Sequence, residues 1–504
     1  MIDVPREAGA GGRAPPRRPV VLGCVMLALF MSAIEVTIVA TALPQIVGRL
    51  GGFALYTWVF SGFLLTQTAT ILVFGKLADL YGRRPVLIGG MIVFLIGSTL
   101  CGLAWSMPAL IGFRLLQGLG AGSIQPVAFT IVGDLYDANE RPRVQGWLSS
   151  VWGFAAIVGP LAGGTIVETL SWRWIFWINV PFGLLAIAGL AMFYHERIGH
   201  RKHAIDYAGT LCFCVGMAAL LVALMQGGVA WPWVSLQTLA LAALFAGAFA
   251  LYVARERRAE EPMVDVRLWR APLVARVNAA ALFGGATIIG VTSFVPIDVQ
   301  GVLGRSALVA GFALTAMSVG WPLASTLSGR FLRAFHARGT VRIGGTLLFI
   351  GTVLLAMMPR SAGPAWIGVG SFTIGFGMGL LNTTSMILIQ GSVPWEQRGS
   401  ATAANVFSRM LGGTLGAAVL GAVLNTVLHA RLGASTGEGI EGIRRMFAGA
   451  VEALSSAERE ALVAALAAGL ARVFAVLVLF GALALVAAWL VPKREIFAPA
   501  AQQA

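Results

Sequence analysis

Apolar residues fall into fourteen long runs along the chain, separated by polar and charged connections. A helix needs about 20 apolar residues to cross a bilayer, and most of these runs reach that length. The pattern therefore predicts fourteen membrane-spanning helices. The runs lie at 20–43, 55–75, 86–104, 108–132, 144–167, 173–194, 207–227, 233–254, 272–295, 308–329, 341–358, 365–389, 401–425 and 471–491.

Composition supports a membrane protein and excludes several other classes. Of the 504 residues, 58% are hydrophobic and 12% are charged, whereas a soluble domain has about 25% charged residues. No basic face with interleaved aromatic residues is present, so nucleic acid is not a predicted partner. Histidine, cysteine and carboxylate residues lack metal-ligand spacing, and no nucleophile elbow occurs, so we expect neither a metal site nor an enzyme.

Basic residues are shared unevenly between the two sides of the predicted membrane. If the N-terminus is inside, the inner connections hold twenty-four Lys and Arg residues and the short outer connections hold four. Cytoplasmic connections carry such an excess, so we expect a multi-pass protein of the cytoplasmic membrane with both termini inside. Contact with anionic membrane lipids then explains the net charge of +14. The segment 1–19 is predicted to be a disordered cytoplasmic tail, and 492–504 a second cytoplasmic tail.

Glu35 lies near the middle of the first apolar run. A carboxylate at membrane depth costs at least a few kcal/mol, and such residues commonly mark functional sites. Desolvation favours the protonated carboxylic acid, so Glu35 could bind and release a proton. The alternative is that Glu35 is neutral or paired and only ties two helices together.

The connection between the second and third runs combines glycine with charge. It contains Gly75, Asp79, Gly82, Arg83 and Arg84. The glycines allow a tight turn, while Asp79 and the arginines can lock neighbouring helices in one conformation. The alternative is a solvated charged loop.

Two further runs carry unusual residues. Arg114 in the fourth run is as costly in a membrane as Glu35 and needs a partner. The glycine-rich stretch 118–122 that follows lacks the dinucleotide-binding spacing and a preceding strand, so no nucleotide site is predicted. The fifth run contains Gly153, Gly159, Pro160, Gly163 and Gly164. That pattern offers a helix kink and a smooth face for close helix contact.

These motifs resemble those of the major facilitator superfamily, and more specifically its fourteen-span drug:proton antiporter family. The connection 75–85 matches the superfamily's signature loop, and 114–122 matches its fourth-helix motif. The stretch 153–164 matches the fifth-helix motif associated with antiporters, and 172–181 is similar to the opening of the sixth helix. The resemblance covers nearly the whole chain.

The resemblance implies an all-α integral membrane fold of two six-helix bundles, at 20–194 and 272–491. It places an extra helix pair at 207–254 between the bundles, and a long outer connection at 426–470 within the second bundle.

The resemblance also implies roles for individual residues. Glu35 takes the place of the family's first-helix aspartate, Arg114 that of an arginine linked to proton transfer, and Asp134 that of a partner for the signature loop. The chain departs from the pattern where Ala40 replaces an asparagine and where Arg333 stands at the counterpart of Asp79. These departures leave the substrate class open.

Several residues are candidates for a central substrate cavity. Arg409 could face the cavity and meet an anionic group, or it could form a helix-to-helix hydrogen bond. Trp152 could stack on a flat ligand, although aromatic packing is the commoner role. Polar amides in apolar runs could line the cavity or join helices by hydrogen bonds. These amides are Gln125, Asn179, Asn278, Asn382 and Asn405.

We therefore predict a proton-coupled antiporter that exports amphipathic small molecules, such as drugs or toxic metabolites, by alternating access. The proton gradient stands in place of a cofactor. The alternative is an exporter of lipids or lipid-linked metabolites, in which the long outer connection would matter. The sequence does not settle the substrate, the proton stoichiometry or the oligomeric state, and a monomer is compatible with it.

Overall fold

The computed structural model describes residues 18–51, 55–137, 140–196, 207–228, 230–256, 266–359, 364–432 and 456–492. These ranges are helical apart from turns and one isolated bridge between Gly227 and Trp231. Helices suit a membrane protein because they satisfy every backbone hydrogen bond within one segment. Residues 1–17 of the predicted N-terminal tail, 433–455 of the long connection 426–470 and 493–504 of the predicted C-terminal tail lie outside the described residues.

The described α-helices are numbered here in chain order. They are α1 (Arg18–Leu50), α2 (Tyr56–Tyr81), α3 (Arg83–Gly102), α4 (Met107–Leu135), α5 (Arg141–Thr169), α6 (Trp174–Trp177), α7 (Asn179–Phe193), α8 (Tyr207–Gln226), α9 (Leu236–Glu256), α10 (Val266–Arg270), α11 (Pro272–Gly301), α12 (Ala307–Ala356), α13 (Pro364–Ser392), α14 (Arg398–Leu432) and α15 (Ser456–Trp489). A 3-10 turn, Trp395–Gln397, precedes α14.

Thirteen helical stretches of the described chain are long and apolar enough to cross a membrane. One of them, Val309–Ala356, has 48 residues and bends at His336, whose φ of 57° is not helical. About 20 residues cross a bilayer, so this stretch holds two spans. The fourteen spans predicted from the apolar runs are thereby accounted for.

The helices form two bundles and one additional pair. Helices α1–α7 pack on one another, as do α11–α15. The pair α8 and α9 pack together, and α8 also contacts α2 and α14. The bundles meet mainly where α5 lies against α12 and where α2 lies against α14.

Glycine allows several close helix contacts. Gly97 on α3 lies directly against the backbone of Gln117 on α4, and Gly377 on α13 lies against the backbone of Leu348 on α12. Small residues permit such close approach, which favours helix association where the hydrophobic effect is weak.

The two ends of the molecule differ in chemistry. We call the end with the connection 75–85 and the start of α14 the basic end. The other end, where Arg49 and Trp172 lie, is the opposite end. Predicted orientation would make the basic end cytoplasmic.

Candidate functional site

A buried ion pair lies inside the first bundle. Arg114 Nη1 on α4 donates a hydrogen bond to Glu35 Oε1 on α1, and both side chains have no exposed surface. The partner that the sequence requires for Arg114 is therefore Glu35 itself. The pair explains how two charges can be held at this depth, since each compensates the other.

Further polar groups complete the surroundings of this pair. Asn179 Nδ2 at the start of α7 lies 2.5 Å from Glu35 Oε2, and it also lies 3.1 Å from Ser98 Oγ on α3. Arg114 donates from Nη1 to Gln117 Oε1 at 2.8 Å and from Nε to the carbonyl of Val59 on α2 at 3.0 Å. Five helices are thus tied to one carboxylate and one guanidinium.

The network keeps unused donors beside the carboxylate. Arg114 Nη2 and Gln117 Nε2 are buried and have no hydrogen-bond partner within the described part of the chain. The Arg114 guanidinium also lies over the Phe63 ring, 4.3 Å from its centroid, a cation–π contact. If Glu35 became neutral, the Phe63 ring and the acceptor oxygens of Gln117 and Val59 would remain beside Arg114 and partly compensate its charge.

A second polar cluster closes the basic end. Asp79 Oδ1 on α2 accepts a hydrogen bond from the Gly399 N–H at 2.8 Å. Asp79 Oδ2 accepts two from Ser400, from its N–H and its hydroxyl, both at 2.7 Å. The first turn of α14 has free N–H groups and a positive dipole end, so an anion is stabilised there. The signature loop thus contacts the other bundle and is not a solvated loop.

Arg83 is the centre of this second cluster. Its guanidinium is fully buried, 3.3 Å from Asp79, 3.1 Å from Asp134 and 3.5 Å from Glu196. It also donates to the carbonyl of Trp395 at 2.7 Å and lies 3.8 Å from the centroid of that residue's ring. One guanidinium therefore contacts three carboxylates and reaches across to the second bundle.

Asp134 and Glu196 have additional partners. Arg398 Nη1 on α14 donates to Asp134 Oδ1 at 3.0 Å, which is a second bond between the bundles. Glu196 Oε2 accepts hydrogen bonds from the N–H groups of Arg83 and Arg84 at 2.7 and 3.2 Å. Burial raises the pKa of the Glu196 carboxyl, while the Arg83 guanidinium opposes that shift. Arg84 also donates to the Ala191 carbonyl, so its contacts stay inside the first bundle.

Two glycines make the closure at the basic end sterically feasible. A Cβ on Gly75 would clash with Ala403 and lie 2.8 Å from the Gly399 carbonyl oxygen, so glycine lets α2 touch α14. Gly82 has a φ of 94° in the turn between α2 and α3. Residues that carry a Cβ rarely adopt this backbone conformation.

A cavity of about 650 Å³ lies between the two bundles. Its walls come from α2, α4 and α5 of the first bundle, from α11–α14 of the second, and from the turn between α8 and α9. A volume of several hundred Å³ is typical of sites for drug-sized ligands. The extra helix pair is therefore part of the cavity wall through Gly228 and Trp233.

Four of the seven predicted cavity residues line this space, and Asn179, Asn278 and Asn405 do not. Gln125, Trp152, Asn382 and Arg409 are in its wall. Asn405 Nδ2 instead donates to Asn278 Oδ1 at 3.1 Å, and both side chains are buried between α14 and α11. Of the two roles open to Asn278 and Asn405, the structure gives them the hydrogen bond between helices, and neither residue lines the cavity.

The glycines of the fifth run serve different contacts. Gly159 lies against Thr37 on α1, whose hydroxyl donates to the Ala155 carbonyl at 3.1 Å. Gly153 faces Ser318 on α12 and lines the cavity.

The end of the fifth run is less closely packed. Gly163 is buried, whereas a Cβ on Gly164 would touch nothing. The predicted smooth face therefore does not extend to Gly164. The Pro160 side chain lies outside the described residues.

Comparison with known proteins identifies the family. The model of the Major Facilitator Superfamily matches residues 25–417. The chain belongs to the major facilitator superfamily. Multidrug resistance protein 3 of Bacillus subtilis (strain 168) is 38% identical over 404 residues, covering 79% of this chain and 78% of that protein. Multidrug transporter protein MdtP of the same organism is 35% identical over 404 residues, covering 80% and 75%.

Solved structures agree with this fold. The human organic anion transporter MFSD10 (TETRAN) has a TM-score of 0.61 at 15% identity, covering 92% of this chain and 100% of its own. The proton:xylose symporter XylE bound to 6-bromo-6-deoxy-D-glucose has a TM-score of 0.62 at 14% identity, covering 94% and 95%. The resemblance inferred from the motifs is confirmed for the superfamily and its multidrug efflux type, so the chain is a multi-pass membrane transporter.

Sequence reasoning missed several residues of this superfamily member's polar clusters. Asn179 is among the amides predicted to line the cavity or to join helices, but it lies beside Glu35. Glu196 follows α7 in a polar connection that gave no reason to place it near Arg83. Trp395, Arg398 and Ser400 could have been suspected, because 394–400 interrupts two apolar runs with proline, charge and glycine.

Proposed function

We propose that this transporter exports amphipathic small molecules across the cytoplasmic membrane in exchange for protons. In this proposal the bundles 20–194 and 272–491 alternate access to the central cavity. The observation that carries it is the buried Glu35, which contacts Arg114 and Asn179 from two other helices. A titratable carboxylate shared between helices can couple its proton to their packing, which a purely apolar interface cannot do.

The coupling would act through the contacts of Arg114. While Glu35 is charged, its attraction for Arg114 holds α1 against α4. Protonation removes that attraction. Arg114 then keeps only its hydrogen bonds to Gln117 and to the Val59 carbonyl. Val59 is two residues from Ser61, which lines the cavity. A change at Arg114 therefore has a short path along α2 to the substrate.

The polar cluster around Asp79 and Arg83 would be the conformational latch. Its cross-bundle bonds hold the basic end closed, which in the predicted orientation leaves the cavity outward-facing. A proton would enter from outside, and after the latch opens it would leave to the cytoplasm while substrate binds. Each proton supplies about 2.3 kcal/mol per 100 mV of membrane potential. The proposed ion pair, latch and cavity use residues of a single protomer, and a monomer is the proposed unit of transport.

The proposal is tested in proteoliposomes with an imposed pH gradient and an internal pH dye. Lipophilic acids, lipophilic cations, neutral drugs and fluorescent lipids are added one at a time. Wild type should show proton flux triggered by a small-molecule substrate, and Glu35→Gln should abolish that flux. Glu168→Gln is the matched control, because it makes the same change at an exposed position and should keep full activity.

Glu35→Gln alone leaves Arg114 buried without a counter-charge. This can lower the stability of the protein by about 3–5 kcal/mol. The double variant Glu35→Gln with Arg114→Gln removes both charges and should insert normally while remaining uncoupled. Wild-type proton flux in either variant would refute the assignment. Lipid movement without substrate-triggered proton flux would favour the lipid exporter instead. That alternative gives a role to the long outer connection 426–470, of which residues 433–455 lie outside the described residues.

A further inference from the structure

The cavity contains one charged side chain among its described lining residues, and that side chain is Arg409. The remaining polar members of the wall are hydroxyl and amide groups, such as Gln125, Asn382 and Thr414. No carboxylate of the described wall faces the guanidinium. The described wall of the cavity therefore has a net positive charge.

Arg409 also differs from the other arginines of the core. Arg83, Arg114 and Arg141 each have hydrogen bonds or ion pairs to protein groups. Arg409 forms neither with any residue that the structure describes, and it is partly exposed to the cavity. Within the described chain, Arg409 therefore does not form the helix-to-helix hydrogen bond that was the alternative role.

The nearest candidates for an internal counter-ion are already engaged or too distant. Glu35 pairs with Arg114, and Asp79 accepts three hydrogen bonds from Gly399 and Ser400. Asp298 is the remaining buried carboxylate of α11. Gly285 of that helix touches the Arg409 backbone. Asp298 is thirteen residues further along α11, so it lies about 20 Å from Gly285 along the helix axis. None of these groups can neutralise Arg409 in this conformation.

The position of Arg409 suits a binding role. It lies eleven residues into α14, about 16 Å from the basic end of that helix, and so near the middle of a bilayer core. On the following turns of α14, the same helix face carries Gly413, Ala417 and Gly421, which also line the cavity. Small side chains there leave room for a ligand directly beyond the guanidinium.

The rest of the wall complements an aromatic or aliphatic body. Trp152, Trp233, Trp321 and Phe129 line the same space as Arg409. Aromatic faces bind flat apolar groups, and guanidinium binds carboxylate through two parallel hydrogen bonds. Resting on the proposed function, we propose that the exported substrates are amphipathic organic monoanions, chiefly aryl or alkyl carboxylates. The anionic group pairs with Arg409, and the apolar body lies between the tryptophans.

This substrate class has a consequence for the energetics of exchange. Moving one monoanion out and one proton in transfers two charges in the same electrical direction. A cation exchanged for one proton transfers none. An inside-negative potential therefore drives export of the anion, and the two substrate classes are distinguishable by voltage alone. Because Glu35 does not line the cavity, the anion and the proton occupy separate sites.

The test is equilibrium binding to the purified full-length protein in detergent, without any gradient, followed by tryptophan fluorescence. The probes share one ring system and differ in charge: naphthylacetate, naphthylacetamide and naphthylethylammonium, with matching biphenyl and indole series. The acid should bind roughly tenfold or more tightly than the amide, as expected for a charge-assisted contact, and the cation should bind most weakly.

Substitution identifies the residue responsible. Arg409→Gln should reduce the advantage of the acid over the amide to within about twofold, while Arg409→Lys should retain part of it. Arg305→Gln, at an exposed position of the opposite end, should leave the preference unchanged. Gel filtration and thermal unfolding confirm that each variant is folded.

Three results would overturn the proposal: tighter binding of the cation than of the acid, an unchanged preference in Arg409→Gln, or no binding of any acid at its solubility limit. Binding is measured without proton exchange, so these results are independent of the antiport test. A preserved acid preference alongside failed antiport would refute the proposed exchange and leave the substrate assignment standing.

Discussion

Asp79 on α2 accepts hydrogen bonds from the backbone N–H groups of Gly399 and Ser400 in the first turn of α14. The two helices belong to different bundles. The carboxylate is therefore both the anion at a helix N-terminus and a clamp between the halves of the transporter. Any motion that opens the basic end must break these bonds.

Neutralising Asp79 should open that end. Asp79→Asn keeps the shape of the side chain but loses the charge-assisted bonds, each worth about 1.5–3 kcal/mol. Pulsed electron paramagnetic resonance between spin labels at Gly89→Cys and Gln397→Cys, both exposed positions, should show a longer-distance population in the variant. Asp137→Asn makes the same change at an exposed site and should leave the distances unchanged. Identical distance distributions in Asp79→Asn and wild type would show that Asp79 is no clamp.

Adding one methyl group at Gly75 should prevent closure. A Cβ there meets Ala403 and lies 2.8 Å from the Gly399 carbonyl oxygen, and such overpacking costs about 1–3 kcal/mol. We expect Gly75→Ala to insert normally and to lose most transport in the proteoliposome assay. Gly89→Ala is the control, because nothing lies within 4 Å of its Cβ. Equal transport by both alanine variants would exclude a tight contact of α2 with α14.

The sequence could predict the membrane fold because its signals are local. Apolar runs of membrane length require helices, and charged residues within them require partners, so their positions in such runs identify Glu35 and Arg114. Their pairing with each other could not be derived, since 79 positions separate them along the chain. The same limit applies to Glu196, which approaches Arg83 only after α3 and α7 have packed.

The asparagines of the apolar runs are a second example of a feature that depends on tertiary packing. Asn382 and Asn405 both lie in apolar runs, and periodicity did not say which faces the cavity. The structure distinguishes them, because Asn405 bonds to Asn278 whereas Asn382 lines the cavity. Helix rotation within the bundle decides the outcome, and packing against several neighbours sets that rotation.

This difference leads to a paired prediction. Asn405→Ala should lower the thermal stability of the protein by about 1 kcal/mol, the usual range for an interhelical hydrogen bond in a membrane, with little change in substrate affinity. Asn382→Ala should change the affinity by a few-fold and leave stability nearly unaltered. Thermal unfolding in detergent and equilibrium binding are measured on both variants. The reverse pattern would mean that the two side chains have been assigned to the wrong roles.

The turn between α8 and α9 should influence substrate binding. Trp233 lines the cavity, and the Asn425 side chain of α14 donates to the Gly228 carbonyl at 3.4 Å. Trp233→Ala should raise the KM of a transported substrate several-fold with a smaller effect on kcat, because it removes an apolar wall and no coupling group. Trp105→Ala changes a 74% exposed tryptophan outside the cavity wall and should leave KM unaltered. A KM that does not respond to Trp233→Ala would mean that the extra pair is only a structural addition.

The most direct test of the central claim is the exchange of protons with weakly buffered solution when substrate binds to the purified transporter. If Glu35 is the proton carrier of an antiporter, a transported substrate should cause wild type to release protons, since the substrate-bound form is the deprotonated one. Glu35→Gln should bind the same substrate and release none. Proton uptake by wild type, or equal release by Glu35→Gln, would contradict the account.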